Sequence, residues 1–198
     1  GLLTIRHTAC QTKIITQNES DKPPGNGFKR LARVLADRSG RLTVFCGASD
    51  IGQGSDGMLA YILSEETGVN PDDVVVVSSD TDLTPVDLGA YSSRVTYMCG
   101  IAAREAGQRM RSAMTAAVAS QWEVDPEQVG VSLGFYYDRG DPSRQLDVKD
   151  VLVLAEAAAG TPLSTSGGYR TRPVGGKYRG GTIGASPAYS TTTHIAQV

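Results

Sequence analysis

The sequence predicts an α+β fold in which mixed sheets pack against helices. Two segments carry apolar residues at the three- and four-residue spacing of a helix, one between Ser55 and Thr67 and a longer one from about Met98 to Gln121. A run of four valines at 74–77 and a hairpin pattern at 28–46 predict strands. Because these elements lack the repeated β–α alternation of a doubly wound sheet, we do not expect a Rossmann fold.

The length, the net charge and the cysteine spacing exclude several classes of function. The 198 residues suffice for one globular domain or for two small lobes that share a core. The net charge of −2 argues against a general nucleic-acid binder. The three cysteines are far apart and form no CxxC motif, so neither a disulfide framework nor a metal centre built by this chain alone is expected. Without a secretory leader or a long apolar run, the sequence predicts a cytoplasmic protein that does not enter the membrane.

The strands are predicted from local signals. The first is expected at 28–35 and the second at 41–46, joined by an Asp-Arg-Ser-Gly turn at 37–40. Four β-branched residues in succession at 74–77 are typical of a strand covered on both faces. A last strand is predicted at 190–198, where side chains alternate between two faces. Because that strand stops without a closing turn, we expect the chain to be a piece of a longer subunit.

Three helices are predicted. The helix at 55–67 has one apolar stripe and is expected to stop at Gly68, a typical C-terminal residue. The helix at 98–121 has a stripe of small residues, which indicates close packing on a sheet. A third helix is expected at 147–158, before Gly160.

Residues 52–57 match the GxGxxG pattern. The pattern opens a helix, and Asp80 follows about 20 residues later, as in the dinucleotide fingerprint, where glycines let backbone N–H groups approach a pyrophosphate. Two features argue against this interpretation. The strand ends near Cys46, several residues before Gly52, and the β–α repeat is missing. A nicotinamide-binding dehydrogenase domain therefore remains an alternative.

A longer block is more specific. Gly-Ala-Ser-Asp-Ile-Gly-Gln-Gly-Ser-Asp at 47–56 precedes one helix, and Gly-Ala-Tyr-Ser-Ser-Arg-Val-Thr at 89–96 enters the next. Together with the Gly-rich stretch at 165–198, this arrangement resembles the molybdopterin-binding region of the large subunit in the xanthine oxidase family. The resemblance is specific over 41–115 and looser over 165–198, and the stretch 84–96 is most similar to the 4-hydroxybenzoyl-CoA reductase branch. The whole chain, 1–198, is interpreted as part of that region.

The resemblance assigns roles to the first loop. It implies that Gln53 hydrogen-bonds the molybdopterin cofactor near its phosphate-bearing side, while Gly52 and Gly54 let the backbone approach. An amide offers two donors and an acceptor, which suits a pterin edge or a phosphate oxygen. A polar loop that only caps a helix is the alternative interpretation.

The resemblance also places cofactor phosphate contacts at Ser92, Ser93, Arg94 and Thr96. Hydroxyls, backbone N–H groups and a helix N-terminus together form an anion site, and Arg94 is the only basic residue among residues 51–100. A serine N-cap beside a solvated arginine is the alternative. Tyr91 is expected to face the metal or the substrate, with a buried core position as an equal alternative.

The resemblance further implies what this chain does not supply. The family's catalytic base is a glutamate in a Gly-x-Gly-Glu motif, which this sequence lacks, so no catalytic residue and no metal ligand is assigned and the chain alone is expected to be inactive. The expected cofactor is molybdopterin, free or as a cytosine dinucleotide. The [2Fe–2S] clusters and FAD are expected on other domains or subunits of the same enzyme, which are the expected partners.

The parent reaction implied by the resemblance is two-electron chemistry at molybdenum. It would be hydroxylation of an aromatic or aldehyde carbon with water as the oxygen source, or reductive removal of a phenolic hydroxyl group from an aromatic CoA thioester. A non-catalytic module for subunit assembly is a further alternative.

Overall fold

The larger sheet contains four strands. The computed structural model describes residues 29–87, 89–90 and 93–170. The spatial order is β3-β2-β1-β7, and only β2 and β3 run parallel to each other. These strands are β1 (Lys29–Ala36), β2 (Leu42–Cys46), β3 (Val74–Ser78) and β7 (Ser164–Arg170). The sheet is therefore mixed, as predicted, whereas the strand predicted at 190–198 lies outside the described residues.

A smaller antiparallel sheet follows the long helix in the chain. It consists of β4 (Val129–Ser132), β5 (Phe135–Asp138) and β6 (Gln145–Asp147), in that spatial order. These strands were not predicted, because each is only three or four residues long and shows too few side chains to establish a period of two.

The three predicted helices are confirmed as α1 (Ser55–Thr67), α2 (Gly100–Trp122) and α3 (Val148–Ala159). Gly68 and Gly160 end α1 and α3 in the left-handed region, at φ of 80° and 65°, where glycine has no steric cost. One π-helical turn, Val95–Cys99, leads directly into α2. The continuous helical segment thus begins three residues earlier than the sequence predicted.

The hairpin of β1 and β2 is confirmed, but the interpretation of β3 as a strand covered on both faces is wrong. β3 forms an edge of its sheet, and the side chain of Val75 is 46% exposed. Branching at Cβ favours any pleated backbone, so the four valines indicate a strand without indicating how deeply it is buried.

Helix α2 packs on β7 at very short range, as its stripe of small residues predicted. A Cβ atom at Gly167 would lie 2.1 Å from the carbonyl oxygen of Ala102. The hydroxyl of Thr165 donates to the carbonyl oxygen of Ala106 at 2.9 Å, and the amide of Gly168 donates to a carboxylate oxygen of Glu105 at 2.7 Å. None of the helices described in the structure is long and apolar enough to cross a membrane.

Candidate functional site

Helices α1 and α2 lie side by side and run in the same direction. A Cβ atom at Gly100, the first residue of α2, would lie 3.0 Å from Cδ1 of Ile62, whereas one at Gly107 would lie 3.0 Å from Cβ of Glu66. Positions further along α2 therefore meet positions further along α1. The loops that feed the two helices consequently reach the same end of the helix pair, and these are the two loops selected in the sequence.

The Gly-Gln-Gly loop, residues 47–54, is organised around Asp50. Its carboxylate accepts hydrogen bonds from the backbone amides of Gly52 at 2.8 Å, Gly54 at 3.3 Å and Asp56 at 3.2 Å. The amides of Gly52 and Asp56 contribute most to lowering the pKa of Asp50 below its ordinary value. An exposed carboxylate thus occupies the N-terminus of α1. This role of Asp50 was not predicted, although an aspartate two residues before a glycine is typical of an Asx turn.

The side-chain amide of Gln53 makes further hydrogen bonds across the same loop. Its Oε1 accepts from the backbone amide of Ile51 at 2.7 Å, and its Nε2 donates to the carbonyl oxygen of Ser49 and to Oγ of Ser55, both at 3.0 Å. Both amide protons are therefore used, one within the loop and one by the first residue of α1. Oε1 retains a second lone pair, and the side chain is exposed.

The two glycines of the loop present an open backbone surface. Gly52 and Gly54 have φ of 102° and 75°, which other residues adopt only with strain. A Cβ atom at either position would have no atom within 4 Å. The conformation requires glycine here, and the surface above both residues has room for a planar group.

A buried ion pair joins strand β1 to the segment that leads into the serine loop, residues 89–96. Arg30 of β1 pairs with Asp87, with side chains only 2% and 4% exposed, and its Nη2 donates to the carbonyl oxygen of Gly89 at 3.1 Å. A Cβ atom at Gly47 would lie 2.1 Å from the carbonyl oxygen of Pro85. The first residue of the Gly-Gln-Gly loop thus touches the segment that leads into the serine loop. This pair was not predicted, because its partners are 57 positions apart in the sequence.

The described part of the serine loop leads into the helical segment that continues as α2. Ser93 is exposed and has a left-handed φ of 50°. Arg94, and not a serine, is the N-cap residue of the π-helical turn, and its own side chain makes no capping bond there. Thr96 is exposed within the turn. Tyr91 and Ser92 lie outside the described residues.

Two thiols lie beneath the loops. Cys46 and Cys99 are free and buried. The Cys99 thiol is 3.9 Å from a carboxylate oxygen of Asp87. A hydrogen bond with Cys99 lowers the pKa of Cys46, and the same contact, together with burial, raises the pKa of Cys99. Across the part of the chain that the structure describes, no cluster of three metal-ligating side chains occurs.

Comparison with known proteins identifies relatives for this arrangement. The family model for the molybdopterin cofactor-binding domain matches residues 7–198. The gamma subunit of the 6-hydroxypseudooxynicotine dehydrogenase complex of Paenarthrobacter nicotinovorans is 34% identical over 116 residues, which cover 59% of this chain and 15% of the relative. The putative xanthine dehydrogenase molybdenum-binding subunit of Escherichia coli K12 is 39% identical over 89 residues, covering 44% of this chain and 12% of that protein.

Solved structures share the fold. Quinoline 2-oxidoreductase from Pseudomonas putida 86 aligns with a TM-score of 0.63 at 25% identity, over 74% of this chain and 19% of that chain. CO dehydrogenase from Oligotropha carboxidovorans aligns with a TM-score of 0.64 at 22% identity, over 74% of this chain and 18% of that chain. The predicted α+β class is confirmed. The chain spans less than a fifth of the length of each of these proteins.

Proposed function

Because the chain belongs to the molybdopterin cofactor-binding domain family, we propose that its two loops form one wall of the cofactor site in the large subunit of a molybdenum hydroxylase or reductase. The observation that carries this proposal is the parallel pairing of α1 and α2, which brings the Gly-Gln-Gly loop and the serine loop to one end of the helix pair. A ligand bound across that end would contact both loops.

The residues fit such a cofactor. The open surface above Gly52 and Gly54 accommodates a planar ring, and the remaining lone pair of Gln53 Oε1 accepts a hydrogen bond from a ring N–H group. The phosphate is assigned to the serine loop, where Arg94 and Thr96 lie at the start of the helical segment. The phosphate contacts proposed there are Ser92, Ser93, Arg94 and Thr96.

The substrate, the nucleotide form of the cofactor and the partners are assigned for the whole enzyme. Bound molybdenum would supply two-electron chemistry, and the protein would orient cofactor and substrate. We assign an aromatic or aldehyde substrate, with an aromatic CoA thioester as the specific case supported by the resemblance at 84–96, and Tyr91 as a substrate contact. The cytosine dinucleotide form, and iron–sulfur and flavin partners on other domains or subunits, complete the proposal. The names of two relatives, for quinoline and 6-hydroxypseudooxynicotine, support an aromatic substrate.

The geometry argues against the nicotinamide alternative. In the described sheet, β1 is antiparallel to both of its neighbours, unlike a strand of a doubly wound sheet. The carboxylate of Asp50 also lies where a dinucleotide pyrophosphate would meet the helix N-terminus. Binding of NAD to the purified protein would favour this alternative, whereas binding of partner subunits without any pterin would favour the assembly module.

The proposal is tested by cofactor content. The variants Gln53→Ala and Arg94→Gln are made in the full-length enzyme, and molybdenum and pterin are measured per protein. We expect both contents to fall at least about tenfold if each loop contributes a charge-assisted or buried hydrogen bond. Gln121→Ala and Arg139→Gln are matched controls at exposed positions outside the two loops and should retain wild-type content. Unchanged content in both test variants would exclude this site.

A further inference from the structure

We infer that Asp50 is a specificity-determining residue: its carboxylate takes the place of a bound anion at the start of α1 and thereby keeps phosphate out of the Gly-Gln-Gly loop. This inference rests on the proposed function, because it decides which part of the cofactor each loop receives. A neutral ring edge is directed to Gln53, and the phosphate is directed to the serine loop.

The backbone N–H groups at the start of α1 already have hydrogen-bond acceptors. An anion binds a helix start through unpaired N–H groups. Here the amides of Gly52, Gly54 and Asp56 already donate to Asp50, and the amide of Ile51 donates to Gln53. A phosphate would have to displace the carboxylate to gain these donors.

The start of α1 carries negative charge. Residues 47–54 contain no lysine or arginine, so nothing within the loop neutralises Asp50. Asp56 adds a second carboxylate at the same helix turn. Its Oδ2 accepts from Oγ of Ser78 at 3.1 Å, while its Oδ1 is buried and, within the described residues, has no hydrogen-bond partner. Because like charges repel, these two carboxylates make the start of α1 unfavourable for a phosphate group.

The neighbouring helix start carries the opposite charge. The N-cap of the π-helical turn is Arg94, which carries a positive charge, whereas Asp50 and Asp56 lie at the start of α1. The two helix starts lie at the same end of the pair. This difference gives one loop a preference for a neutral group and the other a preference for an anion.

The test uses inorganic pyrophosphate as the probe, titrated calorimetrically into the cofactor-free full-length protein. The wild type should bind it at one site, and Arg94→Gln should remove that site. Asp50→Asn should gain a second site or bind at least about tenfold more tightly, since the variant loses one negative charge and weakens the competing acceptor. Asp72→Asn makes the same change of charge at an exposed position in the short 3-10 helix before β3 and should behave as the wild type does.

The outcomes separate the two proposals. If Gln53→Ala and Arg94→Gln reduce cofactor content but a folded Asp50→Asn gains no pyrophosphate binding, the role of Asp50 is wrong and the cofactor site stands. If Asp50→Asn does not fold, Asp50→Ser, which keeps a short acceptor without the charge, is tested in the same way. Wild-type binding of pyrophosphate that survives Arg94→Gln would also overturn the inference.

Discussion

The hydroxyl of Tyr136 donates a 2.9 Å hydrogen bond to the carbonyl oxygen of Thr67, the last residue of α1. Tyr136 lies on β5 and is fully buried, with its hydroxyl 3.5 Å from Sδ of Met114 on α2. Burial raises the pKa of Tyr136, so the phenol remains a neutral donor. This contact fixes the smaller sheet to both helices that carry the candidate site.

Removing that hydroxyl should therefore destabilise the protein. We expect Tyr136→Phe to lower the free energy of unfolding by about 1–3 kcal/mol, because the variant leaves a buried carbonyl group without its donor. Urea denaturation followed by circular dichroism measures the change. Tyr61→Phe is the matched control, since Tyr61 is 67% exposed, and it should have little effect. Equal stability of the two variants would show that the bond to Thr67 contributes nothing.

Gly167 should tolerate no side chain. A Cβ atom there would lie 2.1 Å from the carbonyl oxygen of Ala102 and 2.5 Å from the amide nitrogen of Ala106, both backbone atoms of α2. We expect Gly167→Ala to lower the free energy of unfolding by about 1–3 kcal/mol or more, because the helix must move away from β7. The change is measured by urea denaturation.

The control for this variant is Gly57→Ala in α1. A Cβ atom at Gly57 would have no atom within 4 Å, and alanine favours helix over glycine by about 0.8–1 kcal/mol. Gly57→Ala should therefore be neutral or stabilising. A wild-type midpoint for Gly167→Ala would contradict the close approach of α2 and β7.

The sequence predicted elements that carry a strong local signal. The apolar stripe of α1 and the glycine that ends it, the stripe of small residues on α2 and the turn between β1 and β2 are all encoded within a few residues of each other. The two loops were likewise found from their glycine and serine content. Which groups those loops present to a ligand was not predictable in the same way.

The missed features depend on contacts between distant segments. Nothing near Arg30 indicates that its charge will be buried beside Asp87, and nothing in the valine run of β3 indicates an edge position. The three hydrogen bonds from backbone amides to Asp50 depend on the path of the loop, although the Asx pattern is visible in the sequence. Local propensity determines these elements, whereas tertiary packing determines their exposure and their partners.

The buried ion pair should contribute strongly to stability. Asp87→Asn leaves the guanidinium group of Arg30 buried without its counter-ion, for which we expect a loss of about 3–5 kcal/mol in the free energy of unfolding. Arg38→Gln is the control, because Arg38 pairs with Glu156 at the surface with a side chain 78% exposed, and exposed pairs contribute at most about 1 kcal/mol. Chemical denaturation of both variants measures the contrast. Similar losses in the two would mean that burial does not set the strength of the pair.

The stabilising effect of Asp50 should depend on pH in a defined direction. The hydrogen bonds from Gly52 and Asp56 lower the pKa of Asp50 in the folded state, while the unfolded chain has the ordinary aspartate value of about 3.9. Its contribution is therefore fully present above about pH 4 and is lost as the pH falls through the lower, folded-state pKa. Asp50→Asn should melt at a lower temperature than the wild type near neutral pH, and the difference should shrink in acid, where the wild-type carboxylate is protonated. Thermal melts of the wild type and Asp50→Asn from about pH 7 to about pH 2 measure this, with Asp72→Asn as the charge-matched control. A difference that stays constant over that range would show that the carboxylate does not hold the loop through its charge.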